Sequence, residues 1–100
     1  MKIMDISTAL KRIIDTGNVD FGSEKTVKNV ISGSAKLVVI SSNCPKKIKE
    51  QIEKYCGIEN VPIIKYSGTS LQLGEACGKP FLIASLTVID GGSVSLGELK

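Results

Sequence analysis

The sequence predicts an α/β fold, a three-layer α/β/α sandwich in which helices cover both faces of a sheet of about four strands. Apolar residues recur at helical spacing in some segments and form short runs rich in β-branched residues in others. The two kinds of segment alternate along the chain, and strands joined by helical crossovers tend to lie parallel. With 100 residues, the chain has room for a single domain, residues 1–100.

The first half of the chain predicts two helices and two strands. A helix from Asp5 to Gly17 begins with Asp5 as its cap, and its apolar side is Ile6, Ala9, Leu10, Ile13 and Ile14. NVDF, residues 18–21, is a short strand. A second helix begins at Gly22 and Ser23 and ends near Gly33; it buries Val27, Val30 and Ile31 and turns Lys25, Lys28 and Asn29 outward. The run from Ala35 to Ser41 is typical of a strand in the middle of a sheet.

The second half predicts two more helices and two more strands. Asn43 and Pro45 suit a helix start, and the apolar side of the helix that follows is Ile48, Ile52, Tyr55 and Cys56. PIIKY, residues 62–66, is a short strand. Residues 68–78 form a short helix with a capping box from Thr69 to Gln72 and Gly78 in a left-handed conformation at its end. Residues 81–89 are the longest strand candidate, before a turn at residues 90–92 and a polar tail.

The composition disfavours several classes of protein. Histidine is absent, which removes the commonest proton shuttle and metal ligand. Three cysteines without C-x-x-C spacing fit neither a disulfide framework nor a zinc site, and we expect Cys56 and Cys77 to be core residues. No apolar run approaches the roughly 18 residues of a membrane span, and no export signal is seen, which indicates the cytoplasm. The net charge of +3 alone says nothing about nucleic acid.

Gly22 to Thr26 is similar to the end of a nucleotide phosphate loop, but the match is incomplete. The glycine that should precede it upstream is missing, and Glu24 has the wrong charge to face phosphates. The carboxylates are spread over separate elements and are expected to be surface charges or caps; they include Asp20, Glu24, Glu75 and Asp90. A nucleotide-dependent enzyme is therefore disfavoured.

Three loops that follow strands are expected to meet at one edge of the sheet, where such folds bind ligands. They are residues 22–25, 41–47 and 67–70, and they offer helix N-termini to anions. Their hydroxyls are those of Ser23, Ser41, Ser42, Thr69 and Ser70, and their other polar groups are Asn43, Lys25, Lys28, Lys46 and Lys47. Asn43 could be a turn residue or a ligand-binding one. Lys79 precedes the last strand, and the ring of Phe81 could stack on an unpaired base or pack in the core.

Four stretches of the chain together resemble a known family. They are DTGNVDFGSEKTVK, GSAKLVVISSNCP, IKEQIEKYC, and GTSLQLGEACGKPF followed by TVID. Over nearly its whole length the chain resembles the large-subunit ribosomal protein L-thirty-e family of archaea and eukaryotes, in the wider L-seven-Ae group of kink-turn RNA-binding proteins. The most specific part is Gly-Thr-Ser-Leu-x-Leu-Gly with Gly-Lys-Pro, placed after an Asn-x-Pro loop.

The resemblance implies a non-enzymatic RNA-binding domain without a cofactor, with a four-stranded mixed sheet. It would be a constituent of the large ribosomal subunit, in the cytoplasm, that binds a kink-turn or kink-turn-like internal loop of ribosomal RNA. Its other partners would be neighbouring ribosomal proteins, and we expect a monomer when it is free. The resemblance places Gly22, Ser23, Glu24, Lys25, Lys28, Asn43, Thr69, Ser70 and Phe81 at the RNA; Lys46, Lys47 and Lys79 join them from the predicted edge.

Two alternatives remain open at this point. A general kink-turn-binding protein of guide-RNA particles would use the same surface, and a protein-interaction module could use the same scaffold. Glu24 departs from relatives, which often have a basic or amide residue there; a carboxylate can accept a hydrogen bond from a base but repels phosphate. Cys44 lies in a contact loop without an assigned role.

Overall fold

Four helices alternate with four strands along residues 6–92, the part of the chain that the computed structural model describes. They are α1 (Ile6–Thr16), β1 (Asn18–Phe21), α2 (Ser23–Ile31), β2 (Leu37–Ile40), α3 (Lys46–Glu59), β3 (Ile63–Lys65), α4 (Ser70–Ala76) and β4 (Ser85–Asp90). The predicted order of elements is confirmed throughout this range. The predicted Asp5 cap and the polar tail after Gly92 lie outside the described residues.

The sheet is mixed, with the strand order β1-β4-β2-β3. Strand β4 is antiparallel to both β1 and β2, whereas β2 and β3 are parallel. The expected parallel pairing therefore holds for β2 and β3 alone among these neighbours. Strands β1, β2 and β3 all run in one direction, but β4 is inserted between β1 and β2 and runs the other way.

Helices cover both faces of the sheet, which confirms the three-layer architecture. On one face, α1 and α4 contribute Leu10, Ile13 and Leu73 to a core that contains Leu37 and Val39 of β2. On the other face, α2 and α3 pack through Val30, Ile52 and Cys56 onto Val38 and Ile40. All four residues of β2 are buried because successive side chains of a strand point to opposite faces. The prediction of a central strand covered on both sides is confirmed.

The buried side of α2 differs from the prediction. Thr26 and Val30 are fully buried, Val27 is partly buried, and Ile31 is 54% exposed. Residues four apart share a helix face, so the stripe from Thr26 to Val30 meets the sheet and the two predicted residues are rotated away from it. Ile31, the last residue of α2, is therefore wrongly placed in the predicted core.

The last strand is shorter than predicted. Strand β4 is the longest in the sheet, but it begins at Ser85 rather than at Phe81. The backbone N–H of Ile83 donates to the carbonyl of Ser70 in α4, so residues 81–84 are bound to α4 and are not paired with a strand there. The predicted turn is confirmed, because the N–H of Gly92 donates to the Asp90 side chain at 2.9 Å.

The cysteines occupy buried positions. Cys56 and Cys77 are core residues, as predicted, and Cys44 is also buried. Burial raises the pKa of both Cys56 and Cys77 to about 11. Within residues 6–92, no helix has the length and apolar character needed to cross a membrane.

Candidate functional site

The direction of the strands brings four loops to one edge of the sheet. Strands β1, β2 and β3 end there, and β4 begins there, since Phe21 is paired with Leu86 and Ile40 with Ser85. We term this the loop edge, which consists of residues 22–25, 41–47, 67–70 and 79–84. The predicted meeting of the three loops is confirmed, and the reversed direction of β4 adds the segment that contains Lys79 and Phe81.

The start of α2 is fixed by a backbone hydrogen bond to β4, but no side chain caps its N–H groups. Gly22, the residue before the helix, has φ 104° and ψ 147°, and its N–H donates to the carbonyl of Ser85 at 3.0 Å. The Ser23 hydroxyl lies 2.9 Å from that of Ser85. No side chain caps this helix, and among residues 6–92 the N–H groups of residues 23–25 have no acceptor. A helix start with free N–H groups can accept an anion.

The predicted lysines of α2 and of the start of α3 are available for a ligand. Lys25 and Lys28 are exposed, and neither forms an ion pair within the described part of the chain. Lys47 is likewise exposed and unpaired there. Lys46 lies 3.9 Å from Glu50, but both side chains are largely exposed, and such a pair contributes little stability. All four amines can therefore contact phosphates without the loss of a strong ion pair within the protein.

Glu24 lies in the first turn of α2 with its side chain exposed. A carboxylate at this position interacts favourably with the helix dipole, by about 0.3 to 1 kcal/mol at the surface. It borders a shallow groove with Val27 of the same helix and Ile48 of α3. The structure thus gives Glu24 a role at the helix start, whether or not it contacts a ligand.

Phe81 is a surface residue. Its side chain is 51% exposed, so the core-packing alternative is wrong. The ring contacts Phe21 edge to face, with centroids 6.3 Å apart, and Lys79 Nζ lies 5.3 Å from the centroid of the Phe21 ring. Together with Gly22 and Lys25, the two rings line one open concave surface. It combines an aromatic wall, an ammonium group and the start of α2.

The start of α4 contrasts with that of α2. The Thr69 hydroxyl accepts from the N–H of Gln72, and the Gln72 side chain accepts from the N–H of Thr69 at 2.9 Å, which confirms the predicted capping box. The N–H of Ser70 donates to Asn43 Oδ1 at 2.8 Å. The N–H groups of Thr69, Ser70 and Gln72 therefore have acceptors inside the protein. The expectation that they are free to bind an anion is wrong.

Three residues in or next to the loop edge were not predicted from the sequence, and one predicted residue has a different role. Ser85 fixes the start of α2 through its carbonyl and hydroxyl, and a serine within a buried apolar run was the available signal. Phe21 and Leu82 line the concave surface, and nothing in their spacing indicated this. Ser41, predicted to offer its hydroxyl to a ligand, is buried and donates to Asn43 instead.

The arrangement is suited to binding. The described residues include no group of three or more histidine, cysteine or acidic side chains that could hold a metal ion. The loop edge presents donors, ammonium groups and an exposed ring, which are the groups that contact phosphates and unpaired bases in RNA.

Comparisons with known proteins agree with this fold and with the predicted family. The model of the Ribosomal protein L7Ae/L30e/S12e/Gadd45 family matches residues 4–96. Two similar relatives are each a Large ribosomal subunit protein eL30: that of Methanocaldococcus jannaschii is 43% identical over 96% of this chain and 87% of its own length. That of Sulfurisphaera tokodaii is 40% identical over 97% and 92%, respectively.

A solved structure supports the fold alone. A Bacillus halodurans protein, described as having unknown function, has a TM-score of 0.72 at 22% identity, with 95% of this chain and 90% of that one covered.

The family match spans nearly the whole chain and includes all four stretches that carry the resemblance. The chain therefore belongs to the Ribosomal protein L7Ae/L30e/S12e/Gadd45 family.

Proposed function

We propose that this protein is a non-enzymatic, structural constituent of the large ribosomal subunit, located in the cytoplasm, and that it binds ribosomal RNA through the loop edge. The names of its eL30 relatives support the ribosomal role. The RNA element would be a kink-turn or a kink-turn-like internal loop, and residues 1–100 would form one RNA-binding domain. Neighbouring ribosomal proteins would be its other partners, and it would be a monomer when free.

The observation that carries this proposal is the concave surface between the start of α2 and Phe81. The free N–H groups of residues 23–25, with Lys25 and Lys28, suit one stretch of RNA backbone. The exposed face of Phe81 suits an unpaired base that stacks on it. Backbone and splayed base are close together where RNA bends sharply, so the site fits a kinked element better than a regular duplex.

The other loops extend the proposed contact across the edge. Asn43 would reach a base, while Lys46 and Lys47 would contact phosphates from the start of α3, which has no side-chain cap. Thr69 and Ser70 would border the RNA from the third loop, and Lys79 would add a charge beside the aromatic pair. Contacts from several loops would recognise the shape of the RNA. Proteins usually recognise RNA in this way, because the major groove of an RNA helix is too narrow for side chains.

A salt titration tests the proposal. The intact protein is titrated with a short kink-turn RNA and with a straight duplex of equal length at several salt concentrations. We expect selective binding to the kink-turn that weakens with salt. Lys25→Ala should weaken binding and reduce the slope of log K against log salt by about 1, because one phosphate contact is lost.

Lys36→Ala is the matched control. Lys36 is also an exposed lysine, but it precedes β2 and so lies at the opposite end of the sheet from the loop edge. We expect its binding curve to match that of the wild type. Equal binding of both RNAs by the wild type would contradict the kink-turn proposal and favour the protein-interaction alternative. Identification of the RNA held in native particles would separate the ribosomal role from the guide-RNA one.

A further inference from the structure

Asn43 has a fixed amide orientation. Its Oδ1 accepts from the backbone N–H of Ser70 at 2.8 Å and from the hydroxyl of Ser41 at 3.1 Å. A backbone N–H can only donate, so the group that faces Ser70 must be the oxygen and cannot be the amine. The amide nitrogen Nδ2 is consequently directed away from both serines.

The two loops that hold Asn43 are joined by a second bond. The N–H of Ser42 donates to the carbonyl of Gly68 at 2.9 Å, close to the bond between Ser70 and Asn43. Ser41 itself is 3% exposed, and its N–H donates to the carbonyl of Ala84 at 2.9 Å. The Ser41 hydroxyl is thus a buried donor on a fixed backbone, within reach of the side chain that it orients.

This geometry leaves one kind of chemistry to the exposed side of Asn43. Its amine has two N–H donors, and residues 6–92 supply no acceptor for them in the hydrogen bonds of the structure. The oxygen is already engaged twice, so the paired donor and acceptor contact with which asparagine reads adenine is not available. One edge of guanine presents two adjacent acceptors, N7 and O6, whereas adenine has its own amine beside N7, so the free amine fits guanine better.

We propose that Ser41 is a positioning residue for base recognition, which holds the Asn43 amide so that its amine donates to an acceptor on a guanine-like base edge. The proposal rests on the proposed RNA-binding function and deepens it. Ser41 does not contact the RNA; it acts on the RNA through Asn43. Without the hydroxyl, Oδ1 keeps one of its two donors and the amide can rotate about the remaining bond.

The test uses the kink-turn RNA with each unpaired guanine replaced in turn by 2-aminopurine, which lacks the O6 acceptor. For the wild type, we expect one replacement to weaken binding about tenfold or more. Ser41→Ala should bind the natural RNA about three- to tenfold more weakly and should lose most of the discrimination at that position. Ser41→Thr, which keeps a hydroxyl, should restore part of it.

Ser34→Ala is the control, because it removes an exposed serine hydroxyl at the other end of β2. It should bind and discriminate like the wild type, and thermal unfolding of Ser41→Ala should show that the variant is folded. If Ser41→Ala keeps full discrimination, the positioning role is overturned while selective kink-turn binding by the wild type upholds the proposed function. If the wild type does not prefer the kink-turn, both proposals fail.

Discussion

The starts of α2 and α4 lie at the same edge of the sheet and are built in opposite ways. At α4, Thr69 and Gln72 cap each other, and Asn43 accepts the N–H of Ser70. At α2, Gly22 has no side chain to act as a cap, and the N–H groups of residues 23–25 have no acceptor among residues 6–92. Unpaired N–H groups cost stability unless water or a ligand accepts their hydrogen bonds. The difference is that the start of α4 is capped by side chains of the protein, whereas the start of α2 has N–H groups without an acceptor among residues 6–92.

The contrast between the two helix starts predicts that the most damaging substitution is the one at Gly22. Glycine is needed there because φ 104° with ψ 147° is a backbone conformation that other residues rarely adopt, although no atom would contact an added Cβ within 4 Å. We expect Gly22→Ala to lower the free energy of unfolding by about 1 to 3 kcal/mol, measured by urea denaturation. It should also weaken RNA binding, because the N–H groups that follow would be displaced.

Gly57→Ala provides the matched control for this prediction. Gly57 is exposed within α3, has no positive φ, and would place its Cβ in open space. Since alanine favours a helix more than glycine does, we expect this variant to be up to about 1 kcal/mol more stable. Equal stability changes in the two variants would show that the backbone at Gly22 is not strained by a side chain.

Alkaline pH should destabilise the side of the molecule that contains α4. Burial raises the pKa of Cys77, which follows α4, to about 11, although the nearby Lys79 ammonium partly lowers it. The ordinary pKa of a cysteine thiol is 9.0, so the folded state binds the proton more tightly than the unfolded chain. This contribution is complete below about pH 9 and is lost as pH rises to about 11; its size is on the order of 2 kcal/mol.

The measurement is the midpoint of urea unfolding from pH 8 to 11 for the wild type and Cys77→Ala. The variant lacks the thiol and should lose less stability over this range. Cys56→Ala, whose thiol in α3 also has its pKa raised to about 11 by burial, should show a similar reduction in slope. Parallel curves for wild type and Cys77→Ala would show that this thiol ionises equally well in the folded and unfolded chain.

The smallest effect is expected at the capping box. Thr69→Ala removes the acceptor for the N–H of Gln72 and should lower the free energy of unfolding by about 1 kcal/mol. Because no charge is removed, the salt dependence of RNA binding should keep its slope. Thr69→Ser, which keeps the cap, should retain wild-type stability. A reduced salt slope in Thr69→Ala would show that the two helix starts are not separate in function.

Sequence patterns predicted the fold well because the signals are local. The capping box and the left-handed Gly78 follow from neighbouring residues, and the four buried residues of β2 follow from one apolar run. The insertion of β4 between β1 and β2 is a long-range pairing that no local pattern contains. The same limit explains the error at Phe81, because the late start of β4 at Ser85 depends on a contact between residues 83 and 70.

The residue types at the loop edge could be predicted from the sequence, but the hydrogen bonds between them could not. Exposed lysines after strands could be found from the sequence, and Lys25 and Lys28 lie where they were expected. The orientation of Asn43, which accepts from the Ser41 hydroxyl, depends on its bond to the N–H of Ser70, 27 positions away. The role of each polar group in these loops is therefore decided by its acceptor or donor, which only the folded chain supplies.

The two faces of strand β4 differ, because the face covered by α2 carries two polar side chains and the face covered by α1 and α4 carries apolar ones. Ser85 and Thr87 are fully buried residues of β4, on the opposite side of the strand from the apolar Leu86 and Val88. The Thr87 hydroxyl has no hydrogen-bond partner in the structure. Since α2 gains less from apolar burial on this surface, we expect its amide hydrogens to exchange with solvent through local opening sooner than those of α4. A ligand that binds only the closed form would then slow this exchange in proportion to its affinity, so the helix would report RNA occupancy through its own protection.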